Sequence, residues 1–473
     1  MTDLAALDAT AQAALVRTGE VSAKELVAAA IERIERLNPS LNAVIHERFD
    51  KAMAEVDAVD AGASFAGVPY LAKDAGCATE GDPYHVGLGP LKEAGFRAGA
   101  DSELARRFRR AGFVCVGRTN VPQLLVSATT EPLAYGPTRN PWDTDRSSGG
   151  SSGGSGAAVA AGMVPVGHGN DAGGSIRIPA ACCGLVGLKP TRARVSDGPL
   201  LGETWGGLNH EFGMTHSVRD TAALLDALAG RTWGDPYAAP LSARPWLDEV
   251  GADPGRLRIR VVIDLERQAT DPDVAAAVRA TASLLSDLGH DVAEGTVPEL
   301  EESSAGFGAV ISAAVARDVE RLAAAAGITI DPEDLEPMPG MMVAAGRAMT
   351  AVQYLAGLED MHAFGRRLEA RWADFDLLLT PTIPVEQARI GELAPLADLA
   401  TMAPGLGART AYTAAFDASG QPAISLPLHQ SGAGLPIGIQ LVAATGGEDV
   451  LLRVAAQLEA ALPWADRTPP LFG

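Results

Sequence analysis

Basic side chains are in short supply in this chain. Lys and Arg number 38 against 59 Asp and Glu, a formal net charge of −21 at pH 7. So acidic a surface repels phosphate backbones and anionic headgroups. General nucleic-acid or membrane-surface binding is therefore not expected, although a local basic groove is not excluded. Cysteine is scarce too. Cys77, Cys115, Cys182 and Cys183 cannot build a disulfide scaffold in 473 residues, and none forms a C-x-x-C pair or matches a metal-ligand spacing. Buried free thiols in a reducing cytoplasm are expected. Long apolar runs are missing: no stretch approaches the roughly 20 residues a membrane span needs. The start, Met1-Thr2-Asp3-Leu4, offers no basic n-region and no apolar h-region, so a cytoplasmic location without a leader is expected.

What is present is a chain 47% apolar and 21% charged, a soluble globular composition. The length suits three ordinary domains or one large α/β unit. The first sixty residues read as helices. Ser22-x-x-Glu25 is a capping box, and Val27, Ala30, Ile31, Ile34 and Leu37 share a helical face. Asn38-Pro39 is predicted to stop that helix. Gly67–Ala72 reads as a short buried strand with Lys73 at its exit, Ser102–Ala111 as a helix closed by Gly112, and Phe113–Gly117 as a strand. This alternation argues for an α/β sheet. Residues 147–156 contain only Ser and Gly, a linker composition. Yet apolar Ala157–Ala161, a strand-like Met163–Val166 and a second Gly-rich loop over 167–175 follow at once, so this is a core loop rather than a tether. From 235 to 410 the periodicity weakens, though strands over 256–263 and 374–381 and a helix over 275–288 stand out. Strands over 422–427 and 437–443 and a helix over 448–462 close the chain, and there is no internal repeat. One domain over 1–473 is expected: N-terminal helices (1–60), a core (61–220), a variable region (221–410) and closing elements (411–473).

Lys73, Ser151 and Ser175 carry the chemistry in combination, although each alone has an ordinary surface or turn role. Ser175 follows Asn170-Asp171-Ala172-Gly173-Gly174 and leads into a segment able to begin a helix. The glycines permit a tight turn. The amides of Ala172, Gly173, Gly174 and Ser175 would then converge near the hydroxyl, as an oxyanion hole for acyl transfer requires. A serine needs a base. His168 is close in sequence, but no Asp-x-His framework accompanies it. Gly149-Gly150-Ser151-Ser152-Gly153 fits G-x-S-x-G but lacks the apolar strand that a nucleophile elbow needs. No Gly-Lys-Ser/Thr completes a P-loop.

Gly149–Ser155, Gly173–Ala180 and Gly187–Thr191, with Gly67–Asp74 and Gly420–Ala443, resemble the amidase signature family. The resemblance implies an α/β fold with a central mixed, twisted β-sheet covered by helices on both faces. It also implies a Ser–cis-Ser–Lys triad: Ser175 as nucleophile, Ser151 as the bridging serine after a cis peptide, Lys73 as general base, and Ala172 to Ser175 as the oxyanion loop. Lys73 can accept a proton only when neutral, so burial has to draw its pKa down from about 10.4. The reaction implied is cleavage of a small amide through an acyl-enzyme that water then opens, without metal or cofactor. Carbamates (urethanes), anilides, esters and nylon-type oligomers are further candidate substrates. Thr129–Pro132, Thr138–Trp142 and Gly167–Asp171 resemble the branch holding the nylon-oligomer amidases. The alternative within the family is the amidase (A) subunit of a tRNA-dependent glutamyl/aspartyl amidotransferase. No nucleic-acid or membrane partner is expected, and a homodimer is the assembly to test.

Two positions depart from the family pattern. Asn170 stands where Ser or Thr is usual, and Ala193 where Gly commonly follows Lys-Pro-Thr-x; neither is expected to touch the triad. Arg177 has two readings, a ligand for a substrate carboxylate or a structural salt bridge. By family analogy Val126 and Ser127 line the acyl pocket, with further walls from Leu201–Asn209 and residues 305–350. Met338, Met341, Met342 and Met349 fall in that last segment, suited to an apolar wall or to plain core. His168 reads as a packed or turn histidine.

Overall fold

A computed structural model describes residues 4–302, 305–397 and 399–473. Residues 1–3, on which part of the leader expectation rests, lie outside the described residues, as do 303–304 and 398 of the expected variable region. The strands are β1 (Val44–Glu47), β2 (Pro69–Lys73), β3 (Val114–Thr119), β4 (Arg139–Asn140), β5 (Asp143–Ser147), β6 (Val166–Asp171), β7 (Val186–Lys189), β8 (His210–Thr215), β9 (Arg258–Val261), β10 (Asp291–Glu294), β11 (Leu377–Pro381), β12 (Ala423–Gln430) and β13 (Pro436–Ala443). Eleven form one sheet in the order β1-β3-β2-β6-β8-β7-β12-β13-β11-β9-β10, and β4 pairs with β5. The links β3–β2, β2–β6, β11–β9 and β9–β10 are parallel, whereas β6–β8 and β12–β13 are antiparallel. The sheet is thus mixed and flanked by helices, the α/β class expected. β2, β3 and β6 are buried along their whole length, which requires cover on both faces.

Parallel pairing of β2 with β6, with Leu71 opposite Gly167, brings the carboxyl ends of both strands to one edge. Lys73 ends β2 and Asp171 ends β6. The crevice outside carboxyl ends is where α/β sheets place their ligands.

The Ser/Gly run is built into the core. Ser152 precedes the helix Gly153–Ala160, every residue of which is buried. The second Gly-rich loop expected over 167–175 is a correction: most of it is strand β6. Gly167 and Gly169 serve close packing there. A Cβ on Gly167 would lie 2.9 Å from Val159 Cγ2, and one on Gly169 3.0 Å from Ser152 Oγ. The helix therefore rests almost directly on the strand backbone.

The capping box at Ser22 is present, with Ser22 Oγ accepting from Glu25 N at 3.2 Å. The expected stop at Asn38-Pro39 is not. The helix runs from Ala23 to Leu41 with Pro39 inside it, and Asn42 closes it at φ 50°. Pro39 frees the carbonyl of Glu35, an exposed residue, so the helix continues through it. The strand around 258 alternates as expected, with exposed Arg258, buried Ile259 and buried Val261. The weakly periodic middle holds the helices Ala305–Ala326, Pro337–Ala348 and Ala351–Glu369. All four cysteines are buried and unpaired. Among the described residues no helix is long and apolar enough to cross a membrane.

Candidate active site

Lys73 is fully buried, and its Nζ donates to three oxygens: Ser151 Oγ at 2.7 Å, Ser152 Oγ at 2.8 Å and Asn170 Oδ1 at 2.6 Å. Burial pulls its pKa down to about 7, against the opposing pull of Glu211 and Asp171. The backbone around it is clamped. Arg118 donates from Nη2 to Lys73 O at 2.9 Å, and Lys73 N donates to His168 Nδ1 at 3.2 Å. The peptide bond between Gly150 and Ser151 is cis.

Asn170 corrects the expectation that it stays clear of the candidate triad. Its carbonyl oxygen meets Lys73, and its Nδ2 donates to Glu211 Oε1 at 3.2 Å. Glu211 Oε2 lies 2.7 Å from His168 Nε2. Lys73, Asn170, Glu211 and His168 thus form a closed ring of hydrogen bonds around the amine. Burial works to raise the Glu211 pKa, yet bonds from His168, Asn209 and Asn170 hold it below the ordinary carboxylate value. Burial keeps His168 below its ordinary value despite Glu211. His168 is thus more than a turn residue. Ser152, Glu211 and the place of His168 carry no sequence signal, because their partners lie on strands paired out of chain order.

The loop bearing Ser175 is bracketed by Asp171. Its carboxylate accepts from Gly174 N at 2.6 Å and Ile176 N at 3.1 Å, and from Arg177 Nε and Nη2, each at 2.9 Å. Burial tends to raise the Asp171 pKa, but Arg177 outweighs it and holds the group far below the carboxylate range. Gly174 has φ 126°, and a Cβ there would stand 2.5 Å from Thr413 Oγ1 and 2.6 Å from Ile178 Cδ1, so only glycine fits. Since the Gly174 amide is taken by Asp171, the amides left to a ligand from the expected oxyanion loop are those of Ala172, Gly173 and Ser175.

Ser151, Ser175, Ala172 and Gly173 line one cavity of about 290 Å³. Val126 and Ser127 line it as well, as expected from analogy, with Trp205 and Asn209 from the 201–209 segment. Phe307 and Met342 come from the 305–350 segment. Of the other methionines in that segment, Met341 is half exposed. Arg177 does not reach the cavity. It is fully buried, with Nη2 donating to Asp171 Oδ1 at 2.9 Å and Asp417 Oδ2 at 2.7 Å, and Nη1 to Gln440 Oε1 at 2.9 Å. The salt-bridge reading therefore describes its geometry, since two carboxylates already occupy the guanidinium. Among the described residues no cluster of three or more His, Cys, Asp or Glu side chains is arranged to hold a metal ion.

Known proteins share this arrangement of elements. The family described as Amidase matches residues 25–452. A 6-aminohexanoate-cyclic-dimer hydrolase of Paenarthrobacter ureafaciens is 45% identical over 478 residues, covering 98% of this chain and 97% of that protein. The solved structure of a 6-aminohexanoate cyclic dimer hydrolase complexed with substrate superposes with a TM-score of 0.94 at 44% identity, covering 100% of both chains. A bacterial aryl acylamidase of the amidase signature family superposes with a TM-score of 0.87 at 26% identity, over 97% of each chain. Fold and relatives together define a hydrolase of carbon–nitrogen bonds. The chain belongs to the amidase family.

Proposed function

We propose that this amidohydrolase cleaves small amides of the aminohexanoate type, cyclic or linear, through an acyl-enzyme on Ser175. Ser175 Oγ attacks the carbonyl carbon while its proton passes by way of Ser151 Oγ to neutral Lys73 Nζ. The amides of Ala172, Gly173 and Ser175 receive the developing oxyanion. Collapse breaks the C–N bond, and Ser151 returns the proton from Lys73 to the departing amine. Water then attacks the ester by the same relay in reverse. The observation that carries this reading is a fully buried amine 2.7 Å from Ser151 Oγ, beside a cavity that both serines line. The substrate class rests on the likeness to the 6-aminohexanoate-cyclic-dimer hydrolases.

The test pairs labelling with turnover. A fluorophosphonate should attach to Ser175, and Ser175→Ala should lower kcat on 6-aminohexanoate cyclic dimer by about 10⁴-fold or more, as loss of a serine nucleophile does elsewhere. An Ala variant within tenfold of the parent enzyme would sink the acyl-enzyme reading.

A further inference from the structure

Beside the cavity that both serines line, a smaller recess shares Val126 and Ser127 with it. The recess encloses about 20 Å³, room for one water-sized group. Met338, Leu393 and Met402 give it apolar walls. Its lining also holds two acids, Glu131 and Glu336, and no Lys, Arg or His. Glu336 Oε1 is satisfied by Leu133 N, which donates to it at 2.7 Å. Glu131 is less well served. It is 7% exposed, and its Oε2 accepts from Gly391 N at 2.8 Å, but Oε1 is buried with no hydrogen-bond partner among the described residues. Burial raises its pKa, and the support of Gly391 and Thr129 offsets that only in part. A buried carboxylate left in this way holds its charge at a cost that a cation would remove.

Short side chains connect this acid to the catalytic cavity. Ser127 Oγ lies 3.3 Å from Thr129 Oγ1, and the Thr129 side chain in turn supports the Glu131 carboxylate. The same stretch packs on the cis peptide: a Cβ on Gly150 would stand 2.6 Å from Thr129 O and 2.7 Å from Ser127 O. In a linear aminohexanoate amide only the acyl half ends in an ammonium, because the amine half ends in a carboxylate. Six bonds separate the carbonyl carbon from that nitrogen, an extended reach of about 7 Å at roughly 3.5 Å per three bonds. We propose that the recess is the far end of the acyl pocket, and that Glu131 receives the free ammonium of a linear 6-aminohexanoyl chain. The proposal rests on the function proposed above and divides its substrates. Linear chains gain a charge pair at Glu131, whereas the cyclic dimer has no free ammonium and makes no use of it.

The experiment holds the amine half constant. 6-Aminohexanoate carrying a 6-aminohexanoyl, hexanoyl or 4-aminobutanoyl group on its nitrogen is compared by kcat/KM at about pH 8, where the substrate amine is protonated. The parent enzyme should favour 6-aminohexanoyl over hexanoyl by about tenfold or more, from the charge pairing. The 4-aminobutanoyl chain, about 2.5 Å shorter, should lose that preference. Glu131→Gln keeps an acceptor for Gly391 N and removes the charge, and Met338→Lys brings a rival ammonium to the recess. Each should bring the ratio of 6-aminohexanoyl to hexanoyl near one. A carboxylate that merely holds Gly391 would lower both rates together, so a ratio untouched by both variants overturns the proposal, as does a parent enzyme without the preference. A binding arm needs no turnover. Calorimetry of the Ser175→Ala protein with 6-aminohexan-1-ol, which has no bond to cleave, should show binding that adding Glu131→Gln weakens about tenfold. Absence of binding overturns the recess. Binding that follows this pattern in a protein whose turnover does not need Ser175 supports the recess and overturns the acyl-enzyme step. The same pattern in an enzyme that cleaves none of the three amides supports an ammonium site at Glu131 and overturns the aminohexanoate reading.

Discussion

In the proposed mechanism, the charge on one nitrogen decides whether the site works. Burial draws Lys73 down to about 7, and the carboxylates of Glu211 and Asp171 pull the other way. Asn170 interposes a neutral amide between the amine and Glu211. Asn170→Asp would put a carboxylate where Oδ1 now stands, 2.6 Å from Nζ, and so favour the ammonium. In the proposed relay Lys73 takes a proton only when neutral, so activity is expected to rise as pH climbs through the lysine pKa. The acid limb of kcat/KM is expected near pH 7 in the parent enzyme and should move to higher pH by at least about one unit in this variant. Profiles from pH 5.5 to 10 check this, and an unmoved limb would mean that Lys73 is not the base. The sequence displays Lys73, Ser151 and Ser175 because glycine-flanked hydroxyls and the family motifs surround them. It does not display Asn170's contact, since an exchange of Ser or Thr for Asn says nothing of reach; the pairing of β2 with β6 supplies that. Ala193 is the other departure, and its backbone explains the family's glycine: φ is 59°, in the left-handed region. Ala193→Gly should raise stability by up to about 1 kcal/mol, the relief of the left-handed Cβ clash less the added freedom of the unfolded chain. Urea midpoints with an unchanged slope would register it.

Among the elements, the helix Gly153–Ala160 does most to place the chemistry. It begins one residue after Ser152, lies against β6, and so carries Ser151 and Ser152 to the Lys73 amine. Its glycines set that distance. A Cβ on Gly154 would come within 2.5 Å of Asn120 N and 2.7 Å of Ala43 O, both rigid backbone atoms. Gly154→Ala should therefore cost about 2 kcal/mol or more and also depress kcat, because the helix has to move away from Lys73. Gly407, inside the helix Leu399–Thr410, has nothing within 4 Å of the same position. Gly407→Ala should stabilise by about 0.5–1 kcal/mol without touching turnover. Denaturant melts and steady-state assays on the pair separate crowding from a general response to alanine. The contrast also explains why the elements were unevenly legible. A glycine that packs and a glycine that turns look alike in sequence, which is why β6 read as loop. The helices from 305 to 369 were obscure for a different reason: small residues such as Gly306, Gly346 and Gly357 occupy their contact faces, so apolar periodicity is faint.

Across the whole molecule, the order of the eleven strands was the least legible feature. β6 pairs with β2 and β8, and β7 with β8 and β12, so the sheet interleaves segments far apart in the chain that local periodicity cannot relate. The same interleaving buries several titratable groups, with a consequence for stability. Lys73 and Lys189 are both fully buried, and burial brings each down to about 7. In the unfolded chain a lysine holds its proton to about 10.4. Between these values the unfolded state binds the extra proton, so stability increases with pH, by up to about 1.4 kcal/mol per pH unit for each lysine. Burial likewise holds the carboxyls of Asp197 and Asp220 up to about 7, so they have finished ionising once pH is well above neutral. Three thiols act in the opposite sense further up. Burial pushes Cys77 and Cys182 to about 12 and raises Cys183 well above its ordinary value, so above roughly pH 8.5 the unfolded chain sheds three protons that the fold retains, outweighing the two lysines, and stability declines. The maximum should therefore lie near pH 9 rather than at neutrality. Chemical denaturation at pH 7, 8, 9 and 10 locates it. Lys73→Met should remove about half of the rise between pH 7 and 9 while leaving the decline above it in place. A parent enzyme that loses stability steadily from pH 7 would show that Lys73 and Lys189 keep their protons in the fold, and that the amine beside Ser151 is charged when the enzyme meets its substrate.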